Sequence, residues 1–235
     1  EQNIILPFND EEEKIYVANL AKANKELQEL YDLEGSDKMQ ILKLLTRLRQ
    51  LCLEPRLVYD NIDQPSSKLK ACMELIKTMQ ENKQKVLLFS SFTSVLDLIA
   101  EECQKAGITY YMLTGSTNKE DRRELVSRFQ KDDTTVFLIS LKAGGTGLNL
   151  TSAETVIHFD PWWNVSAQNQ ATDRAYRIGQ KNNVQVFNLV MKDSVEEKII
   201  ELQKRKKELA DMFVENNSGG LSQMSKEDIL SLFTM

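Results

Sequence analysis

The sequence contains very little histidine and cysteine, and this limits the chemistry that it can support. His158 is the only histidine, so metal and catalytic sites built from several histidines are excluded. The three cysteines, Cys52, Cys72 and Cys103, include no CxxC pair. This pattern is typical neither of a disulfide framework nor of a zinc ribbon. We therefore expect a protein of a reducing compartment with no metal site of its own.

Long apolar segments and a leader pattern are also absent. No apolar run reaches the about 18 residues that a membrane-spanning helix needs, and no secretory signal opens the sequence. With 235 residues, of which 41% are hydrophobic and 28% charged, the chain can bury a core without disulfides. These features predict an intracellular protein with no membrane partner, cytoplasmic in a bacterial host and nuclear in a eukaryotic one.

The acidic charge of the chain is unevenly distributed. The net charge is −5, but residues 1–35 hold nine acidic residues against three lysines. The rest of the chain is therefore close to neutral. A near-neutral body can still carry a locally basic groove, so the acidic total does not exclude a nucleic-acid partner.

The hydrophobic pattern changes along the chain and predicts three parts. Residues 10–34 and 37–53 have helical spacing, and the second helix ends before Pro55. From Ser67 onward, short apolar strands alternate with helices. The predicted strands are 86–89, 109–113, 135–139, 156–159 and 184–189, and the predicted helices between them are 68–81, 93–106, 119–130 and 165–178.

Strands that are short, apolar and separated by helices favour an α/β fold with a doubly wound parallel sheet. After Lys192 the pattern predicts one long charged helix and a short terminal helix. The predicted domains are therefore a helical part at 1–65, the sheet domain at 66–192 and C-terminal helices at 193–235.

Three predicted strands are followed by small polar residues. These are Ser90–Thr93, Thr114–Thr117 and the glycine-rich run 140–147 with Lys142. Hydroxyls, backbone amides and helix N-termini at one sheet edge can bind a chain of phosphates without reading bases. The alternative is that these serines and threonines only cap helices.

The predicted helix 165–178 carries two distinct faces. Gln170, Arg174 and Arg177 follow each other at helical spacing, so three planar donors lie on one face. Phosphoryl-transfer enzymes use arginines of this kind to stabilise the charge of the transition state. The alternative is a solvated polar face. The other face is a stripe of small or apolar residues suited to packing on the sheet: Ala167, Ala171, Ala175 and Ile178.

The segment before this helix holds both tryptophans, Trp162 and Trp163, which can pack as a hydrophobic staple or face a ligand. His158, within an apolar strand, is expected to be a hydrogen-bonded core residue. The sequence has no Gly-Lys dipeptide and so no P-loop, and Leu150 stands where a dinucleotide fingerprint needs its third glycine.

These motifs resemble those of a known family. Residues 140–150 (SLKAGGTGLNL), 160–164 (DPWWN) and 170–180 (QATDRAYRIGQ) look like motifs V and VI of the SWI/SNF family, the DNA-translocating ATPases of helicase superfamily two. Residues 86–93 (VLLFSSFT) resemble motif IV. The resemblance covers nearly the whole chain and departs at Tyr176, where the family usually has histidine.

The resemblance implies a RecA-like second helicase lobe with a helical protrusion at its N-terminus and a C-terminal brace helix. In the family, ATP binds between two such lobes, and the first lobe supplies the P-loop and the residues that hold magnesium. The chain is then the carboxy-terminal part of a larger ATPase and inactive alone. Its partners are the N-terminal RecA-like lobe, double-stranded DNA and protein–DNA complexes, which it remodels.

The resemblance also assigns roles by motif position. The implied catalytic residues are Gln170, Arg174 and Arg177, with Arg174 and Arg177 as arginine fingers, and the implied ATP-side residues are Gly145, Gly147 and Asp173. The implied DNA contacts are Ser91, Thr93, Ser116, Lys142, Thr146, Trp162 and Trp163. Two alternatives stay open: a non-catalytic nucleic-acid or partner-binding module of RecA-like fold, and an RNA helicase lobe.

Overall fold

The structure, a computed structural model, describes residues 1–32, 38–144, 148–162, 165–173, 175, 183–212 and 225–234. The chain divides into two compact units, one of residues 1–4 with 69–190 and the other of residues 5–68 with 191–235. The three-part division at residues 65 and 192 stays a prediction about domain organisation.

Helices and strands alternate through the middle of the chain, as the hydrophobic pattern predicts. In chain order the elements are β1 (Gln2–Leu6), α1 (Asp10–Asp32), α2 (Lys38–Leu53), a 3-10 helix (Pro55–Leu57), α3 (Ser67–Glu81), β2 (Val86–Ser90), α4 (Thr93–Lys105), β3 (Tyr110–Leu113), α5 (Lys119–Phe129), β4 (Val136–Ser140), α6 (Leu141–Gly144), β5 (Thr155–His158), α7 (Val165–Thr172), β6 (Gln185–Met191), α8 (Val195–Met212) and α9 (Lys226–Ser231).

The sheet has six strands in the order β1-β6-β5-β2-β4-β3. Strands β2 to β6 pair in parallel, with Leu88 of β2 opposite Leu138 of β4 and Ile157 of β5. Every residue of β2, β4 and β5 is buried, so both faces of the central sheet are covered. This confirms the predicted doubly wound α/β fold.

One face of the sheet contributes to a continuous apolar core. Phe89, Phe137 and Phe129 are fully buried there, and the rings of Phe129 and Phe137 lie 5.1 Å apart. Ala171 and Ala175 are buried in the same core, as the predicted small-residue stripe requires. The side chain of Ala167 lies outside the described residues.

Three features differ from the sequence prediction. The edge strand β1 and the helix α6 were not predicted. Strand β1 is mostly exposed and has only three consecutive apolar residues, Ile4 to Leu6, and α6 is only four residues long. The helix predicted to reach residue 178 ends at Thr172. The Ala175 amide donates to the Thr172 carbonyl, three residues back, which makes a tight turn instead of another helical turn.

The second unit is helical and has its own core. The buried Tyr16 of α1 stacks on Phe8 and accepts a 2.8 Å hydrogen bond from the Val195 amide at the start of α8. Leu45 and Leu48 of α2 are buried too. In the described part of the chain, no helix combines the length and the apolar character that crossing a membrane requires.

A buried ion pair lies inside this helical unit. The Lys68 ammonium is 2.7 Å from both carboxylate oxygens of Glu196, and each side chain is at most 1% exposed. Glu196 also accepts a hydrogen bond from the Met191 amide. Burial, and next the negative charge of Glu196, raise the pKa of the nearby Cys52 thiol, so that this cysteine stays protonated.

We predict that Glu196→Gln lowers the free energy of unfolding by about 3 kcal/mol, because it removes the negative charge that lies 2.7 Å from the buried Lys68 ammonium. Urea denaturation measures this. Glu201→Gln, on the same helix, is the matched control: the Lys198–Glu201 pair is 3.7 Å apart and Glu201 is 56% exposed, so we expect less than about 1 kcal/mol. Equal losses in the two variants would contradict the prediction.

Candidate functional site

The three polar loops converge on one cavity at the carboxyl edge of the sheet. They follow β2, β3 and β4, which are neighbours in the order β2-β4-β3. The cavity has a volume of about 620 Å³. Its lining residues are Ser91, Thr93, Asp97, Met112, Thr114, Gly115, Ser116, Ser140 and Lys142. The structure therefore brings four predicted residues together: Ser91, Thr93, Ser116 and Lys142.

Asp160 holds the first of these loops in place. Its carboxylate, in a residue only 1% exposed, accepts hydrogen bonds from the Ser90 hydroxyl at 2.6 Å and the Ser91 amide at 3.1 Å, and a short one from the Ser91 hydroxyl. The Ser91 hydroxyl proton is thus engaged inside the protein. A phosphate contact from this hydroxyl remains a prediction, and it requires that bond to break.

Ser140 supplies a donor that the sequence did not single out. Its hydroxyl is buried and has no hydrogen-bond partner within the described part of the chain, although the residue lines the cavity. A buried hydroxyl without a partner is costly, so the side chain is suited to bonding a ligand in the cavity. Its place at the end of β4 was visible in the sequence, but its lack of a partner required the fold.

The capping alternative explains few of the loop hydroxyls. Helix α4 has no side-chain cap, since its N-cap residue is Phe92, and the Ser90 and Ser91 hydroxyls donate to Asp160. Helix α5 is capped by Asn118, whose side chain accepts from the Asp121 amide at 2.9 Å. Two loop hydroxyls do accept from a nearby amide: Ser90 from the Phe92 amide and Thr117 from the Thr114 amide, each at 3.1 Å. The Thr114 and Ser116 hydroxyls bond to each other at 2.8 Å.

A second cavity beside the third loop is cationic. Its volume is about 610 Å³, and the described residues that line it include three basic ones and no acidic one. The lining residues are Thr117, Lys119, Arg122, Arg123, Val126, Ser127, Leu148 and Asn149. Positive charge is therefore concentrated near the polar loops, although the whole chain is acidic.

The residues predicted to face ATP are only partly described. Gln170 near the end of α7 and Asp173 just after it are exposed. The remaining members of the predicted set lie outside the described residues: Arg174, Arg177, Gly145 and Gly147, together with Thr146, Trp163 and Tyr176. Their roles stay predictions.

Trp162 packs against the apolar core of the sheet unit and is partly buried. Its amide donates to the Gln168 side chain at 3.3 Å. For this tryptophan, the packing alternative is therefore favoured over a ligand contact, and the predicted DNA contact stays untested.

His158 is a buried core residue, as expected. Its Nε2 lies 2.8 Å from the Thr172 hydroxyl at the end of α7, and its ring stacks on Phe89. Burial lowers the pKa of His158 to about 4, because the charged ring would lose its hydration. The imidazole is thus neutral at physiological pH.

The chain is also similar to known proteins. Residues 67–179 match the family described as the Helicase conserved C-terminal domain. An uncharacterized ATP-dependent helicase of Mycoplasma pneumoniae is 35% identical over 98% of this chain. The chain spans only 22% of the length of that relative.

Solved structures agree with the fold. The C-terminal part of the Fun30 ATPase domain matches with a TM-score of 0.77 and 26% identity, covering 99% of this chain and 96% of the other. The Sulfolobus solfataricus SWI2/SNF2 ATPase core in complex with dsDNA matches with a TM-score of 0.79 and 29% identity, covering 98% of this chain and 49% of the other.

The parallel sheet and these matches define the chain as a RecA-like helicase lobe. Within that class it belongs to the SWI/SNF family, as the C-terminal helicase lobe. The resemblance read from the sequence motifs is confirmed at this level.

We predict that His158 makes the stability of the chain depend on pH. In the unfolded chain this histidine has the ordinary pKa of about 6.5, whereas in the folded chain its pKa is about 4. Between these two pH values the unfolded state therefore binds a proton that the folded state does not bind. Stability is therefore lost as the pH falls from 6.5 towards 4, by about 2 kcal/mol between pH 8 and pH 5.

Urea denaturation at the two pH values tests this, with His158→Gln as the comparison. His158 is the only histidine, so the variant has no histidine titration left. It should lose about 2 kcal/mol less than the wild type over the same range. A loss of the same size in both proteins would contradict the assignment.

Proposed function

We propose that this lobe is part of a larger ATPase that moves along double-stranded DNA and remodels protein–DNA complexes. The observation that carries the proposal is the cavity where Thr93, Ser116, Ser140 and Lys142 meet at the carboxyl edge of the sheet. Hydroxyls and a lysine positioned there suit the phosphates of one DNA strand, and they read no bases. The complex of the Sulfolobus relative with dsDNA supports this partner.

The cationic cavity adds to this support. Lys119, Arg122 and Arg123 of α5 lie next to the loop that ends at Thr117, so their charge extends the polar surface. Basic side chains that replace condensed counterions supply most of the affinity of non-specific DNA binding. Asp97 also lines the first cavity, and its negative charge opposes phosphate binding next to it.

In the same proposal, ATP binds against this lobe at the turn after α7. Arg174 and Arg177 stabilise the charge that develops on the transferred phosphoryl group, and Gln170 lies beside them. Gly145, Gly147 and Asp173 border the nucleotide. Among the described residues no group of three or more His, Cys, Asp and Glu could hold a metal ion, so we assign magnesium to the preceding lobe.

Closing and opening of two lobes around ATP would move the enzyme along the duplex. This proposal requires the P-loop of another lobe, and the chain alone is then without ATP turnover. The second candidate function is a nucleic-acid-binding module without catalysis, which the two cavities also support.

We predict that duplex DNA stimulates ATP hydrolysis by the full-length protein and that this chain alone has no ATP turnover. We also predict that Arg177→Ala in the full-length protein abolishes turnover. The reason is that Arg177 acts on the transition state, so ATP affinity changes little. Steady-state ATP hydrolysis and nucleotide-binding titration measure the two effects.

Arg128→Ala is the matched control, because Arg128 is exposed and packs over the ring of Tyr111. We expect it to retain full turnover. If Arg177→Ala lost ATP binding while still folded, the arginine-finger role would be wrong. If the folded full-length protein were inactive with DNA, the binding-module alternative would be favoured.

We predict that Lys142→Ala in the full-length protein weakens binding to duplexes of any sequence and reduces the salt dependence of log Kd by about one unit of slope. Lys131→Ala is the control, since Lys131 is exposed before β4, at the opposite edge of the sheet. Fluorescence anisotropy at several salt concentrations measures both. An unchanged slope for Lys142→Ala would remove this lysine from the interface.

A further inference from the structure

A network of partly buried hydrogen bonds attaches α7 to the sheet. His158 Nε2 and the Thr172 hydroxyl are 2.8 Å apart, and that hydroxyl donates to the Gln168 carbonyl at 3.3 Å. The single hydroxyl proton of Thr172 is thus used within the helix. The ring tautomer with its proton on Nε2 fits this arrangement, because Thr172 then accepts from His158.

The burial of the His158 ring agrees with a hydrogen bond donated from Nε2 to Thr172. His158 is 1% exposed, and its buried Nδ1 has no hydrogen-bond partner among the described residues. A charged ring would leave a buried N–H at Nδ1 without an acceptor, which is unfavourable. The neutral ring with its proton on Nε2 fits this environment, and in that form His158 is the donor of the hydrogen bond to Thr172.

A second attachment lies one turn earlier in the helix. The Gln168 side chain accepts from the Trp162 amide at 3.3 Å and donates to Asn188 of β6 at 3.1 Å. Asn188 in turn donates to Glu1 and Asn3, each at 2.9 Å. The helix is therefore bonded to both β5 and β6.

These bonds matter because α7 has only eight residues and ends at Thr172. Ala171, buried on the core side, contributes one methyl group and cannot by itself set the rotation of the helix about its axis. Hydrogen bonds are directional, so the contacts of Thr172 and Gln168 define that rotation. Asp173 and Arg174 follow directly in the sequence.

We propose that His158 and Thr172 are positioning residues for ATP hydrolysis: their hydrogen bond sets the point and direction in which the chain leaves α7 towards Arg174 and Arg177. The inference rests on the proposed function of those arginines. A displacement of about 1 Å in a group that acts on the transition state can reduce turnover about 100-fold, so a bond outside the nucleotide site can control kcat.

The test is Thr172→Val in the full-length protein, a change that keeps the shape and removes the hydroxyl. We expect kcat of DNA-stimulated ATP hydrolysis to fall at least about tenfold, with KM for ATP and Kd for duplex DNA within about twofold of wild type. Thr172→Ser, which restores the hydroxyl, should recover most of the lost kcat.

Thr155→Val is the matched control. Thr155 is a buried threonine at the other end of β5, and its hydroxyl donates only to the Met79 sulfur at 3.3 Å. We expect its kcat within about twofold of wild type. His158→Leu, which removes the donor, is the second variant, used if Thr172→Val does not fold, and it should show the same loss of kcat.

Two results would overturn the inference: kcat of Thr172→Val within twofold of wild type, or an equal loss of kcat in Thr155→Val. Failure of serine to restore kcat would count against the hydrogen bond as the cause. Arg177→Ala, measured in parallel, separates this inference from the proposed function. If Arg177→Ala kept full turnover, the proposed function would fail and this inference with it.

Discussion

The candidate site depends on one buried carboxylate. Asp160 follows β5 and receives three hydrogen bonds from Ser90 and Ser91 at the end of β2, the neighbouring strand. These bonds compensate the burial of the charge, and they hold the first polar loop against the sheet. The positions of Thr93 and of the cavity wall follow from this arrangement. Removing the carboxylate would leave three donors unsatisfied at the edge where ligands bind.

The same sheet edge supports two different tasks. Loops after β2, β3 and β4 present hydroxyls and Lys142 to a polar cavity, whereas β5 carries His158, which bonds to the end of α7. Asp160 and His158 are two residues apart, so one short segment anchors both the proposed DNA-facing loop and the helix before the proposed arginine fingers. A parallel sheet makes this possible, because all the carboxyl ends of its strands meet at one edge.

Sequence patterns predicted most of the fold and part of the site. Short apolar strands between helices were enough for the doubly wound sheet, since only a sheet covered on both faces can bury strands such as Val86–Ser90. The edge strand β1 was missed because its exposed residues have no such pattern. The end of α7 was missed because the helical spacing of the sequence continues past Thr172. In the structure, however, the Ala175 amide bonds to the carbonyl three residues back, as in a tight turn.

The sequence by itself determined the fold class, the family and the set of polar loops, because these depend on local periodicity and on motifs that lie close together in the chain. Only the tertiary structure decided which side chains have partners. Ser91 and Ser140 are both serines at strand ends. The Ser91 hydroxyl bonds to Asp160, 69 residues away, whereas the Ser140 hydroxyl has no partner among the residues that the structure describes. Hydrogen-bond satisfaction depends on atoms brought together by folding, and spacing along the chain carries no record of it.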